Sequence, residues 1–146
     1  MASHRTEVRN AIVARILSEM PGQFKIVKPS RRFRVSKNKM PACFVYIDDE
    51  DIAPITIQSP RDLQRDLDAQ IEIHVYGTQK LPPDEAMDLL LKNVEHALQT
   101  SDNLGLSYVL DVLPSKIAVE AEEEEADQLY LAAIATFRVS VDLPEY

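Results

Sequence analysis

The sequence holds a single cysteine, Cys43, and only three glycines. One cysteine cannot close an intrachain disulfide, so nothing points to a secreted fold held together by bridges. Its apolar neighbours, Met40, Ala42, Phe44 and Val45, make it a small buried hydrophobe. Three glycines are too few to line a phosphate cradle, and no Gly-x-Ser-x-Gly, P-loop or Gly-x-Gly-x-x-Gly occurs. Long apolar runs are missing too. The longest, Leu129 to Phe137, is far too short to span a membrane. The stretch from Val8 to Met20 is broken by Arg9, Asn10, Arg15 and Glu19, which does not read as a signal peptide. His4, His74 and His96 show neither His-x-x-x-His nor Glu-x-x-His spacing. These absences lead us to expect a soluble protein from a reducing compartment, with no membrane partner, cofactor, metal or catalysis. Such a chain works by binding other protein subunits.

At 146 residues, residues 1–146 suit one domain; two would each be small for a self-sufficient core. Val8, Ile12, Ile16 and Met20 recur every fourth residue and predict an amphipathic helix, capped by Ser3 and stopped by Pro21-Gly22. Pro82-Pro83-Asp84 opens a second helix, with Met87, Leu90, Leu91, Val94 and Leu98 on its buried face and an end near Thr100. Between them, Phe24 to Val27, Ala42 to Ile47 and the short Ile55 to Ile57 read as strands, with Asp48 to Asp51 as an acidic turn.

The clearest pattern runs from Arg61 to Tyr76. Leu63, Leu67, Ala69, Ile71, Ile73 and Val75 share one parity, and Asp62, Gln64, Asp66, Asp68, Gln70, Glu72 and His74 the other. Side chains alternate across a strand, so one face packs and the other meets water or a polar partner. Arg65 is the exception on the apolar parity. Leu106 to Leu113 and Ile117 to Ala121 read as strands about a Pro114-Ser115 turn. The final segment, Leu129 to Leu143, reads as a long strand, with a helix over residues 126–135 as the alternative. The order suits an α+β fold: a mixed, mostly antiparallel sheet packed against two main helices.

The net charge is -8, but seven of the 16 basic residues fall between Lys25 and Lys39 with no acid among them. Segregated charge steers one molecule onto a complementary patch of another. The basic loop 28–39, with Arg31, Arg32, Phe33 and Arg34, is a protein-docking loop, a phosphate contact or a plain solvated loop. Asp48, Asp49, Glu50 and Asp51 are consecutive and lack the alternate spacing and turning glycine of a calcium loop, leaving a solvated turn or a partner-facing patch. Glu122, Glu123, Glu124 and Glu125, in an acidic hairpin tip spanning 121–127, form a solvated block or a contact with a basic surface. That surface includes the Arg31 to Arg34 loop of a neighbouring copy.

Arg5-x-x-Val8-Arg9-x-Ala11-Ile12 opening the first helix resembles the start of the bacteriophage tail-terminator family, the minor tail protein U-like group. Met40-Pro41-Ala42-Cys43-Phe44-Val45-Tyr46-Ile47-Asp48-Asp49-Glu50 is similar to that family's proline, apolar strand, tyrosine and acidic turn. Arg61 before the alternating strand, then Asp88, Val94, Glu95 and Leu98 in the second helix, and the closing Phe137-Arg138-Val139, keep the family's order. The resemblance implies a virion subunit, assembled in the host cytoplasm, that forms a homo-oligomeric six-membered ring on the tail tube protein. It implies that the ring ends tube growth, meets the head-connector or neck protein, and passes DNA without specific binding. Asp62, Asp66, Asp68 and Glu72 would then give a lumen that repels phosphates, or else are simply the wet side of a sheet. Another neck or head–tail component, and a cytoplasmic nucleic-acid-binding module using the basic loop, are the alternatives.

Overall fold

The computed structural model describes residues 3–31, 35–55, 62–99, 102–125 and 128–144. Helix α1 spans His4–Glu19, and the Ser3 hydroxyl accepts a hydrogen bond from the Thr6 N–H at 3.2 Å, capping its start. Its predicted stripe is fully buried at Val8, Ile12 and Ile16, each worth roughly 1.5–3 kcal/mol relative to exposure. Gly22 follows with φ at 73°, a left-handed value that glycine adopts without strain. Helix α2 spans Pro83–Leu98, with Asp84 and Glu85 in its first turn at the positive end of the helix dipole. No helix among the described residues is long and apolar enough to cross a membrane.

The strands are β1 (Ile26–Lys28), β2 (Ala42–Pro54), β3 (Asp62–Gly77), β4 (Val109–Glu125) and β5 (Gln128–Pro144). They form one sheet in the order β1-β2-β3-β5-β4. Only β1 and β2 run parallel; the other pairs are antiparallel. The fold is therefore α+β, as the residue pattern predicts. Both helices lie on one face, where Leu67, Ala69, Ile71 and Ile73 of β3 and Ala133, Phe137, Val139 and Val141 of β5 are buried. Period-two alternation in both strands delivers these side chains to the same layer.

Two local expectations give way, and one alternative is set aside in favour of the expected long strand. The acidic run 48–51 is not a turn: β2 continues through it to Pro54, with a register shift between Ile47 and Glu50. A bulge of this kind leaves residues unpaired without ending the strand. Nor does Pro114-Ser115 turn the chain. β4 passes through it with another irregularity between Pro114 and Lys116. β4 is the sheet's edge, and an edge strand tolerates proline because it needs hydrogen-bond donors on one side only. Residues 128–144 are all strand, so the helical alternative for 126–135 does not hold where that segment is described. Pairing with β3 and β4 along both sides outweighs alanine's helix propensity. The predicted strand at Ile55 to Ile57 falls mostly outside the described residues, as do Arg32, Phe33, Arg34, Arg61 and Thr100.

Candidate interaction surfaces

The sheet's outer face, opposite the helices, has two halves. The first carries the aromatic residues of β2. Phe44 and Tyr46 alternate with the core residues Cys43, Val45 and Ile47, so they point away from the helices, yet both are buried. Arg31 and Lys37, from either side of the undescribed residues 32–34, reach this face. Arg31 sits over the Tyr46 ring at 4.5 Å from its centre and is ion-paired with Asp48. Lys37 hydrogen-bonds Gln128 and lies 5.8 Å from the Tyr130 ring centre. Burial, together with the nearby Glu72 carboxylate, pushes the Tyr46 hydroxyl up to about 12. Burial likewise raises the Cys43 thiol to about 12. A thiol so hard to ionise is an inert core group.

The other half of this face is acidic. Asp66 and Asp68 of β3 point outward, joined by Asp51 of β2, Asp111 of β4 and Asp142 of β5, all on the same side by register. Ser140 donates a hydrogen bond to Asp66 at 2.7 Å, and Arg138 stands 3.9 Å from Asp68. Asp62 is exposed at the strand's start. Glu72 differs from the other three predicted lumen acids. It pairs with His74 at 2.6 Å and accepts from the Tyr46 hydroxyl at 3.3 Å, beside the aromatic half. Glu72, His74 and Glu120 rim a shallow hollow of about 130 Å³ floored by Ala118, Ala132 and Ile134.

The 48–51 acids divide between the faces. Asp48 is taken by Arg31 of the same chain, and Asp49 and Asp51 are exposed. Glu50 binds Arg5 at 3.0 Å, Arg65 at 2.7 Å and His4 at 3.1 Å. This cluster explains Arg65, the lone charge on β3's apolar parity: the β2 bulge delivers a carboxylate to it. Arg5 also donates to the Ile47 and Asp48 carbonyls, tying the start of α1 to the bulge. Burial opposes ionisation of Glu50, but hydrogen bonds from Arg65, Arg5 and His4 outweigh it and hold the carboxyl below its ordinary value.

Glu122 is exposed near the end of β4, whose backbone also includes residues 123–125; 126 and 127 lie outside the described residues. More telling is the strand that leads there. From Leu113 to Glu122 every residue of β4 is exposed, including Leu113 (51%), Ile117 (49%) and Val119 (53%). The sequence pattern places these positions on strands and marks no function for them. Their signal was there in Lys116-Ile117-Ala118-Val119-Glu120, apolar residues alternating with residues the core does not need. Only the strand order shows that the helices fail to cover them.

A chain of a gene transfer agent virion shares this fold. That chain, from the virion of a native gene transfer agent particle, superposes with a TM-score of 0.50 at 11% sequence identity. The match covers 94% of this chain and 99% of the other. At that identity the likeness speaks for the fold alone. No family model matches the sequence, and no curated protein does.

Proposed function

We propose that this protein is a structural subunit of a phage-like virion that caps the tail tube as a homo-oligomeric ring, ends tube polymerisation and forms the joint to the head. The observation that carries this reading is a sheet whose edge strands, β1 and β4, each pair on one side only among the described residues, with a half-exposed apolar stretch in β4. The end-to-end likeness to a chain of a gene transfer agent virion, and the resemblance of its sequence to tail terminators, support the same reading. A ring needs heterologous contacts, in which two different patches of one subunit meet. Two unlike edges of one sheet supply them.

The acidic half of the outer face suits a lumen. Carboxylates at Asp51, Asp66, Asp68, Asp111 and Asp142 would repel the phosphates of passing DNA. The partners are the tail tube protein on one side of the ring and a head-connector protein on the other. The role requires no catalysis. The nucleic-acid alternative gains little, because Arg31 and Lys37 of the basic loop are engaged with the chain's own sheet.

Purified protein should be mixed with tail tubes assembled without a terminator and imaged by negative stain. Density at one tube end, together with arrested tube growth, is the expected result. Tubes that keep growing with unoccupied ends would overturn the proposal. So would salt-sensitive DNA retention lost on substitution of Arg31, Arg32 and Arg34 while tube capping never occurs.

A further inference from the structure

An open sheet edge is ordinarily guarded by short strands, prolines, bulges or charge. β4 follows this rule only in part. It has irregularities between Val109 and Asp111, between Pro114 and Lys116, and between Glu123 and Glu125. Between the last two, the ladder from Lys116 to Glu123 is regular, and no strand among the described residues pairs with its outer edge. Ile117 and Val119 project from this stretch on the helix side, and Ala118 and Glu120 on the outer side. At the opposite end of the sheet stands β1, three residues long. β1 brings Lys25 and Lys28, both exposed, whereas β4 brings Glu120 and Glu122, also exposed. Lys28, Glu120 and Glu122 have no ion-pair partner among the described residues. The β1 edge is thus basic, and the β4 edge is acidic from Glu120 onward, beyond the exposed Lys116.

The two edges also stand at the same height. Val27 pairs with Cys43, Cys43 with Ile73, Ile73 with Ala133, and Ala133 with Val119. The row is apolar from end to end, and its last member, Val119, is half-exposed. One step along, Ile26 shares a row with Glu120 through Ala42, His74 and Ala132; Lys28 shares one with Ala118 through Phe44, Glu72 and Ile134. Following the pair directions across the sheet, β4 runs opposite to β1. A second copy related by rotation about an axis along the strands would therefore present β1 to β4 antiparallel and level. That junction sets Lys25 level with Ala121, between Glu120 and Glu122, sets Lys28 level with Ala118, two residues from Glu120, and carries the apolar row from Val119 onto the neighbour's Val27.

We propose that β4 residues 116–122 of one copy dock on the β1 edge of the next, so that the sheets join head to tail. The proposal rests on the ring-forming reading and names the contact that builds the ring. It predicts a reciprocal charge rule. The E120K/E122K variant and the K25E/K28E variant should each self-associate roughly 10- to 100-fold more weakly than the parent in solution mass measurements at low salt. Mixed in equal amounts, they should assemble again, since every junction of an alternating ring then joins opposite charges. Circular dichroism and thermal melts on each variant confirm folding, which substitutions at exposed positions should preserve.

A covalent test accompanies it. In one chain β1 and β4 are separated by three intervening strands, roughly 19 Å at ordinary strand spacing. A disulfide needs Cα atoms within about 7 Å. A K28C/A118C double variant can therefore cross-link these positions only between copies, and Cys43 is buried away from the reaction. Oxidation should give ladders of linked chains on denaturing gels, while K28C and A118C alone stop at dimers at most. If the parent assembles and caps tubes but both charge variants assemble equally well, the edge contact fails and the ring reading stands. If each variant fails and mixing does not restore assembly, the pairing of β1 with β4 is wrong. If the parent remains a monomer even with tail tubes, both the contact and the ring reading fall.

Discussion

β4 and β5 are the two arms of one hairpin, each 17 residues long and paired along most of their length. Their environments differ sharply. β5 buries alternate residues from Leu131 to Val141, whereas β4 buries Val109 and Val112 and then leaves everything from Leu113 to Glu122 exposed. Composition does not account for this, since Ile117 and Val119 are as apolar as Val139 and Val141. Position does: β5 lies between β3 and β4 beneath the helices, and β4 lies beyond them. Equal strands in one hairpin thus differ in burial, one holding the core together and the other leaving its apolar side chains exposed.

Substitutions can break or sharpen that contrast. The largest loss should come from Phe137→Ala in β5: Phe137 is 2% exposed, and truncation should cost roughly 3–5 kcal/mol in urea denaturation. An unchanged midpoint would mean β5 is not the core strand described. Next comes Glu50→Ala, which strands Arg65 and Arg5 in a partly buried site. Arg65 already has an Nε without a hydrogen-bond partner, so the loss should be about 2–4 kcal/mol. Gly77→Ala at the end of β3 should follow at about 1–3 kcal/mol, because a methyl there overlaps the Leu81 carbonyl oxygen and the Pro83 ring.

Smaller still is a pH effect. The Glu50 carboxyl is held below its ordinary value of 4.5, so its contribution is present above that pH and fades as pH falls through the lower folded value. Relative to Glu50→Gln, the parent should lose more stability on acidification below pH 4.5; parallel urea midpoints across that range would contradict the cluster's role. The smallest monomer effect belongs to β4. Ile117→Ala and Val119→Ala should each change monomer stability by less than about 0.5–1 kcal/mol, yet weaken self-association measurably. A large loss of monomer stability would show that this strand is not reserved for a partner.

Legibility followed the range of the interactions involved. Both helices, the Ser3 cap of α1, the prolines that open α2 and the buried stripes are readable because spacing within a few residues fixes them. So are the faces of β3 and β5. The acidic run 48–51 and Pro114 read locally as turns for a related reason: each would end an isolated strand, but pairing with β3 or β5 carries the chain through. The basic and acidic segments were visible as charge. What local charge does not show is pairing within the chain: Arg31 meets Asp48, and Glu50 is enclosed by Arg5, His4 and Arg65.

By itself the sequence determined the two helices, the central parts of the long strands and which side of each is apolar, because those properties are written at periods of 3.6 and 2. It also determined that a charge would stand on β3's apolar parity, without indicating the carboxylate that meets it. Only the tertiary structure decided the strand order, and so which of two equally apolar strands would be covered. It alone brought the ends of the sheet, Val27 and Val119, to one height. The physical reason is that edge position, helix coverage and cross-sheet register depend on contacts between residues far apart in the chain, where local periodicity carries no information.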